Sequence, residues 1–564
     1  MQENFITGAE AVMRSLIQEG VDTIFGYPGG AIMPIYDALF DYTHIVNHIL
    51  VRHEQGAIHA AQGYARASGK VGVCFATSGP GATNLITGLA DAQIDSTPLV
   101  CISGQVASHL LGTDAFQETD VIGISMPITK WNLQVTDAKD IPDALARAFY
   151  IARSGRPGPV LIDITKDAQF GKLHYKYEKC TKIRSFSPVP SLNIQAIEEA
   201  AALINKAQKP YILVGQGVIL SKAEKALLMF AEKTGIPVAA TLLGLGAFPA
   251  HHPQYVGYLG MHGNYAPNVK TNECDVLIAI GMRFDDRVTG NINDYARQAK
   301  IIHIDIDKAE INKIIPVNVA IHADAKEALE ALIDKIEIKN HTQWINEFNA
   351  LKEKEYEVVI RSEINVKEGA LKMAEVIHLL SEKTNGNAII VTDVGQHQMV
   401  TSRYFKYNKR NGNITSGGLG TMGFALPAAI GAKIAKPNDT VIAIIGDGGF
   451  QMTMQELGTI LQSDIAVKII VLNNNFLGMV RQWQQLFFDK RYSFTDLVNP
   501  NFVAIAKAYN IESQKIERRQ DLDTALENLL THSQAYLLEV VVVKEENVFP
   551  MVPTGASVSE IRLN

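Results

Sequence analysis

Short apolar β-type runs ending in glycine turns recur along the chain between stretches with helical spacing. A first set is VGVCFATSGPG (71–81), PLVCISGQ (98–105) and PVLIDIT (159–165). A second is YILVGQG (211–217), VLIAIGMRFD (276–285) and IIHIDID (301–307), and a third is AIIVTDVG (388–395), VIAIIGDGG (441–449) and KIIVLNNN (468–475). Strands alternating with helices predict parallel sheets covered by helices on both faces, so the fold class is α/β with three doubly wound sheets. Polar connectors at Leu173–Asn193 and Lys339–Lys367 separate the sets and predict units at 1–180, 190–345 and 365–564. The 564 residues agree with more than one domain at about 150 residues each. No short-period repeat or low-complexity tract is visible.

Composition narrows the chemistry. Hydrophobic residues at 47% and charged residues at 20% describe globular cores, and a net charge of -7 gives no positive field for nucleic acid. Cys74, Cys101, Cys180 and Cys274 contain no CxxC pair, which fits neither a disulfide framework nor a zinc site and suits a reducing cytoplasm. Val71–Ala90 is uncharged, but its Ser-Gly-Pro-Gly centre would leave backbone groups unsatisfied in lipid, so no membrane association is expected. The N-terminal residues show no export signal.

The most informative segment is Gly446-Asp447-Gly448-Gly449, with Asn474 lying 27 residues after Asp447 within Asn473-Asn474-Asn475. MTMQELGTILQS between them reads as the crossover helix of one βαβ unit. That predicts Asp447 and Asn474 at the carboxyl ends of adjacent parallel strands, the ligand edge of an open α/β sheet. A carboxylate, an amide oxygen and a main-chain carbonyl suit Mg²⁺, and the three glycines let the backbone approach a diphosphate. A strand-ending turn would explain GDG alone; the asparagines at this spacing argue for the metal.

Other candidates are ambiguous by themselves. Glu54, in Arg52-His53-Glu54-Gln55-Gly56-Ala57, precedes the helix-like AIHAAQGYARASG and would ordinarily be a cap or surface charge. Met422, in Gly417–Gly423, reads as a core methionine by periodicity, and His53 and His397 read as structural histidines.

In combination, the GDG and NN segments, RHEQGA, FGYPGGA (25–31) and TSGPGATN (77–84) resemble the thiamine-diphosphate enzymes. The similarity runs from FGYPGGA to VFPMVPTG (548–555) and points to the acetohydroxyacid synthase (acetolactate synthase) catalytic-subunit family. The resemblance implies a pyrimidine-binding domain (1–180), a central FAD-associated domain (190–345) and a diphosphate- and Mg²⁺-binding domain with a C-terminal tail (365–564). It makes Asp447, Asn474 and the Phe476 carbonyl the metal ligands, and Glu54 the acid that activates the cofactor ring. Met422 becomes the wedge that bends thiamine diphosphate, whose other contacts would be Gly395, Gln396, His397, Gly420, Gly446, Gly448, Gly449, Gly478 and Met479.

FAD is implied by GLGAFP (244–249), GMHG (260–263), GMRFDDRVTG (281–290), HIDID (303–307) and Arg156 in GRPGP. The matching contacts are Gly215, Gly244, Met261, His262, Gly263, Arg283, Asp286, Arg287, Asp305 and Asp307. No GxGxxG fingerprint occurs there; strand-ending glycines and an aspartate for ribose or adenine are the physical basis. Arg287 and Trp483 would recognise the acceptor keto acid and favour 2-ketobutyrate over a second pyruvate. Arg287 could equally pair within its own loop with Asp285 or Asp286. Gly30, Phe116, Gln117 and Lys166 match further active-site positions. Ala107-Ser108-His109 and Ala425 depart from the commoner family residues, the former beside the substrate channel.

The resemblance also implies a homodimer or tetramer with the site at the subunit interface, and a small regulatory subunit. A flavin-linked pyruvate oxidase, a 2-keto acid decarboxylase and a non-catalytic nucleotide-binding scaffold are the alternatives.

Overall fold

The computed structural model describes residues 5–564. Three six-stranded sheets, parallel throughout, carry the architecture. The first contains Thr23–Gly26, Asn47–Leu50, Gly72–Ala76, Leu99–Gln105, Trp131–Val135 and Pro159–Thr165. The third contains Ile389–Thr392, Asn413–Thr415, Val441–Gly446, Lys468–Asn473, Glu512–Ile516 and Tyr536–Val541. Counted within each sheet, both have the spatial order 2-1-3-4-6-5, so the outer units share one topology without a visible sequence repeat. The middle sheet, from Pro210–Val214 to Val319–His322, has the order 3-2-1-4-5-6 found in dinucleotide-binding folds.

The expected strands lie where the apolar runs placed them. Their side chains are buried because helices cover both faces, as in the wholly buried Leu99–Gln105 and Val441–Gly446 strands. The expected crossover helix is interrupted: Asp447–Thr453 and Leu457–Ser463 flank a tight turn at Met454–Glu456. The break coincides with the buried Glu456 carboxylate reaching across to accept the Arg52 backbone N–H at 3.1 Å. After the middle sheet, the Thr342–Glu355 helix buries Trp344 and Phe348 against it, so that packing continues beyond residue 345.

The first and third units meet chiefly through the Glu54–Ser68 and Ala425–Ala435 helices. A Cβ on Gly63 would stand 1.9 Å from the Ala428 carbonyl oxygen, and one on Gly431 1.8 Å from that of Ala60. The two backbones therefore touch at paired glycines. Among the described residues no helix is long and apolar enough to cross a membrane.

Candidate active site

In an open α/β sheet, ligands settle beyond the carboxyl ends of the strands where the strand order reverses. In the third unit that point lies between Ile389–Thr392 and Val441–Gly446, and the loops leaving these strands are 393–397 and 446–449. They touch: the Gly446 N–H donates to His397 Nε2 at 3.3 Å. Burial pushes the His397 imidazole down to about 4, so it is neutral at pH 7.

Gly446 is in register with Leu472 on the adjacent parallel strand, so Asp447 and Asn474 leave neighbouring strand ends together. Asp447 is 2% exposed, and burial pushes its carboxyl up to about 6. Asn499 Nδ2 donates to Asp447 Oδ2 at 2.7 Å and reaches Asn473 Oδ1 at 2.9 Å and Asn475 Oδ1 at 3.1 Å. Asn474 is buried, with Oδ1 accepting the Phe476 N–H at 3.2 Å. A Cβ on Gly478 would lie 2.9 Å from Asn474 Nδ2 and 2.2 Å from Gln396 Oε1, which brings those three predicted residues together. Likewise a Cβ on Gly448 would lie 3.7 Å from Met422 Cε. Gly449 abuts the carboxylate of Asp393, which burial pushes up to about 7.

In the middle sheet the order reverses between Pro210–Val214 and Val276–Ile280. Gly215 and Gly281 end these strands, and a Cβ on Gly215 would be 2.2 Å from the Gly281 carbonyl oxygen. Only backbone fits this crevice, and Gly281 has a left-handed φ of 56°. The crevice opens into a cavity of about 1280 Å³. Gly215, Met261, His262, Arg283, Asp286, Arg287 and Asp305 line it from the middle unit, and Arg156 from the first. Gly395, Gly420, Met422, Met479 and Trp483 line it from the third. His262 Nδ1 is buried there without a partner, and burial pushes that imidazole down to about 3. Burial also pushes the Asp305 carboxyl up to about 7.

Three residues expected at the flavin lie off this wall. Gly244 packs behind it, where a Cβ would stand 2.3 Å from the Val214 carbonyl oxygen. The Gly263 carbonyl accepts Arg403 Nη2 at 3.3 Å, and Asp307 is engaged by Arg156 Nη1 at 3.1 Å. Arg156 also reaches Glu310 at 2.9 Å and Ser96 at 2.9 Å, which occupies much of its donor fork. Arg287 has only a loose contact with Asp286, 3.6 Å; Asp285 instead accepts the Arg287 backbone N–H at 3.1 Å.

The N-terminal candidates form a second group. Glu54 is the first residue of the Glu54–Ser68 helix rather than preceding it, and His53 Nδ1 caps that helix by accepting the Gln55 N–H at 3.1 Å. Glu54 is 9% exposed and its Oε2 accepts Asn84 Nδ2 at 2.8 Å. A Cβ on Gly81 would be 3.1 Å from its Oε1. Thr77 Oγ1 accepts the Ala31 N–H at 3.2 Å, tying the Gly29-Gly30 turn to the same place. Gln117 presents its backbone to Gly79, with the carbonyl oxygen 2.7 Å from where a Cβ would lie. Phe116 is 89% exposed, and Lys166 is exposed at the start of the Lys166–Phe170 helix. Ser108, in the unusual Ala107-Ser108-His109 stretch, donates its N–H to Asp167 at 2.8 Å. Neither Glu54 nor Gln117, Gly30, Phe116 or Lys166 lines the cavity.

Asn499 and Asp393 escaped the reading of the sequence. Asp393 had a signal, as an acid directly after an apolar run; Asn499, in a polar loop, had none.

Three family models match the chain in order: the thiamine pyrophosphate enzyme N-terminal TPP-binding domain (residues 6–124), the central domain (197–332) and the C-terminal TPP-binding domain (393–540). The acetolactate synthase isozyme 2 large subunit of Escherichia coli is 48% identical over 559 residues, 99% of each chain. The large subunit of Corynebacterium glutamicum is 46% identical over 99% of this chain and 90% of its own. That of Lactococcus lactis is 44% identical over 98% and 96%. The chain belongs to the acetolactate synthase large-subunit family. It is accordingly a thiamine-diphosphate-dependent transferase of branched-chain amino-acid biosynthesis, and the oxidase, decarboxylase and scaffold alternatives are not favoured.

Within an acetolactate synthase fold, the loops at 393–397 and 446–449 belong to the C-terminal TPP-binding domain and Glu54 to the N-terminal one.

Proposed function

We propose that the chain decarboxylates pyruvate and passes the two-carbon unit to a second pyruvate or to 2-ketobutyrate, giving 2-acetolactate or 2-aceto-2-hydroxybutyrate. We further propose that it binds Mg²⁺ and FAD besides thiamine diphosphate, that its complete site forms between two copies, and that a small regulatory subunit joins it. The observation that carries this reading is the single cavity in which Met422, Met479 and Trp483 face the dinucleotide crevice and Arg287.

The residues fit each group. Asp447 is a buried carboxylate with no cationic side chain paired to it among the described residues, and Asn474 and the Phe476 carbonyl complete an all-oxygen donor set. A hard dication suits such donors and offsets the cost of the buried charge. For the flavin, the glycines at 215, 217 and 281 place bare backbone on the wall of a cavity roomy enough for a dinucleotide. The flavin's role in this reading is structural.

Thiamine diphosphate, when bound, supplies an acidic carbon and an electron sink for decarboxylation. The chain's own groups do the rest. Glu54 holds or releases a proton at its carboxyl, with Asn84 fixing the other oxygen. Neutral His397 and the glycine turns at 395 and 446–449 would hold the diphosphate, and Met422 would give the cofactor an apolar support. Arg287 offers a planar fork to an acceptor carboxylate. Trp483, 38% exposed on the cavity wall, offers a flat apolar surface to the acceptor's alkyl group. One added methylene gains about 1–3 kcal/mol, so preference rather than exclusion of pyruvate is expected. Gly30, Phe116, Gln117 and Lys166 do not line that cavity, and in this reading a second copy presents them to it, with exposed Phe116 covered in the process.

The test is product analysis with pyruvate and 2-ketobutyrate in competition, with thiamine diphosphate, FAD and Mg²⁺ supplied. Excess 2-aceto-2-hydroxybutyrate with the flavin remaining oxidised under anaerobic turnover is the expected result. Stoichiometric bleaching of the flavin by pyruvate would overturn it in favour of an oxidase.

A further inference from the structure

The segment that carries Gly420 and Met422 to the cavity is rich in glycine and forms neither helix nor strand. What shapes it comes from the first unit. Asp95 accepts the Gly417 N–H on Oδ2 and the Gly418 N–H on Oδ1, each at 2.8 Å. Asp91 Oδ1 accepts the Ser416 hydroxyl and, at 3.2 Å, that of Thr421. Ser416 Oγ in turn accepts the Thr421 N–H at 2.8 Å, closing the loop on itself. Arg66 donates to the Thr415 carbonyl at 2.6 Å and lies 3.6 Å from Asp95.

Both aspartates are wholly buried, and Asp91 Oδ2 has no partner. Two buried carboxylates against one guanidinium make poor adhesive, because desolvation of such groups offsets most of their attraction. Their geometry is nevertheless specific: one carboxylate takes two successive backbone N–H groups, and the other takes two hydroxyls five residues apart. The neighbours Ile94 and Ser96 stand on the cavity wall beside Ser416, Gly417, Gly418 and Met422, so this clamp lies immediately behind the wall.

We propose that Asp91 and Asp95, assisted by Arg66, are positioning residues for the thiamine diphosphate site: from the first unit they hold the 416–422 loop of the third in the shape that presents Met422. The proposal rests on the reading of that loop as a cofactor contact.

The test uses the full-length protein with FAD and Mg²⁺, titrated with thiamine diphosphate and followed by tryptophan fluorescence as well as acetolactate formation. Asp95→Asn, which keeps one acceptor of two, raises the half-saturating cofactor concentration about tenfold or more, the scale on which loss of an outer-shell partner acts at metal sites. Its thermal midpoint stays close to that of the parent. Asp91→Ala and Ser416→Ala each weaken binding, and the double variant weakens it by less than the product of the two single effects, because the singles share the Ser416–Asp91 bond. Cofactor binding by Asp95→Asn within about twofold of the parent would overturn the proposal, as would fully multiplied effects of Asp91→Ala and Ser416→Ala. Should Asp95→Asn not fold, the milder Asp91 and Ser416 pair decides. Met422→Ala separates the two readings: if it binds and turns over normally, the loop is not a cofactor contact. If Met422→Ala is impaired while Asp95→Asn is not, the clamp alone fails.

Discussion

A glutamate opening a helix is ordinarily a cap, and Glu54 is set apart by its surroundings. It is buried, one oxygen is taken by Asn84, and glycine at 81 leaves the other accessible. A group so held can exchange a proton with a bound heterocycle. Glu54→Gln keeps the shape and removes the acid, so acetolactate formation falls by about 10²–10⁴-fold while thiamine diphosphate still binds; rate and fluorescence titration check the two halves separately. Unchanged turnover would remove Glu54 from the mechanism. At this level Glu54, Asp447 and Asn474 could be read from motifs because their chemistry demands particular residues at particular spacings. Asn499, Asp91 and Asp95 could not, since each acts on a residue far along the chain and belongs to no local motif.

The pairing of the Glu54–Ser68 and Ala425–Ala435 helices joins the first and third units, and its closeness depends on glycine. Gly63→Ala would force a methyl group onto the Ala428 carbonyl, destabilising the protein by about 1–3 kcal/mol or more; a lowered thermal midpoint is the readout. His59 lies in the same contact, its ring 5.2 Å from that of Phe424, and burial pushes it down to about 3 from an ordinary 6.5. Its folded pKa is depressed, so the stability it contributes is present above about 6.5 and is lost as pH falls from there towards 3. His59→Gln therefore flattens the acid limb of a stability–pH profile without abolishing it, because His48, His262 and His397 are shifted the same way. A profile parallel to the parent's would contradict that assignment. The strands themselves were readable from sequence, because burial on both faces leaves continuous apolar runs. The break at Met454–Glu456 was not, because it coincides with Glu456 bonding to Arg52, far away in sequence.

Across the whole molecule, three doubly wound units were readable from alternating strands and helices, but strand order was not. Periodicity reports which face is apolar and says nothing of which strands are neighbours. The order decides where ligands can sit. The order reverses between Pro210–Val214 and Val276–Ile280, where the dinucleotide is proposed to bind, and beside Val441–Gly446, where the diphosphate is. Gly215 and Gly281 at the first reversal, and Gly395, Gly420 and Met422 near the second, line one cavity, while neither Glu54 nor Asp447 does. The proposed function puts the complete site between two copies, with one supplying Glu54 and the other Asp447.

Complementation tests this most directly. Chains carrying Glu54→Gln and chains carrying Asp447→Asn are each expected to be inactive, but random pairing of the two puts one intact site into half of the dimers. Co-expressed in equal amounts, they should recover about a quarter of parental acetolactate formation. A mixture as inactive as its components would place both residues of each site on one chain and contradict the account.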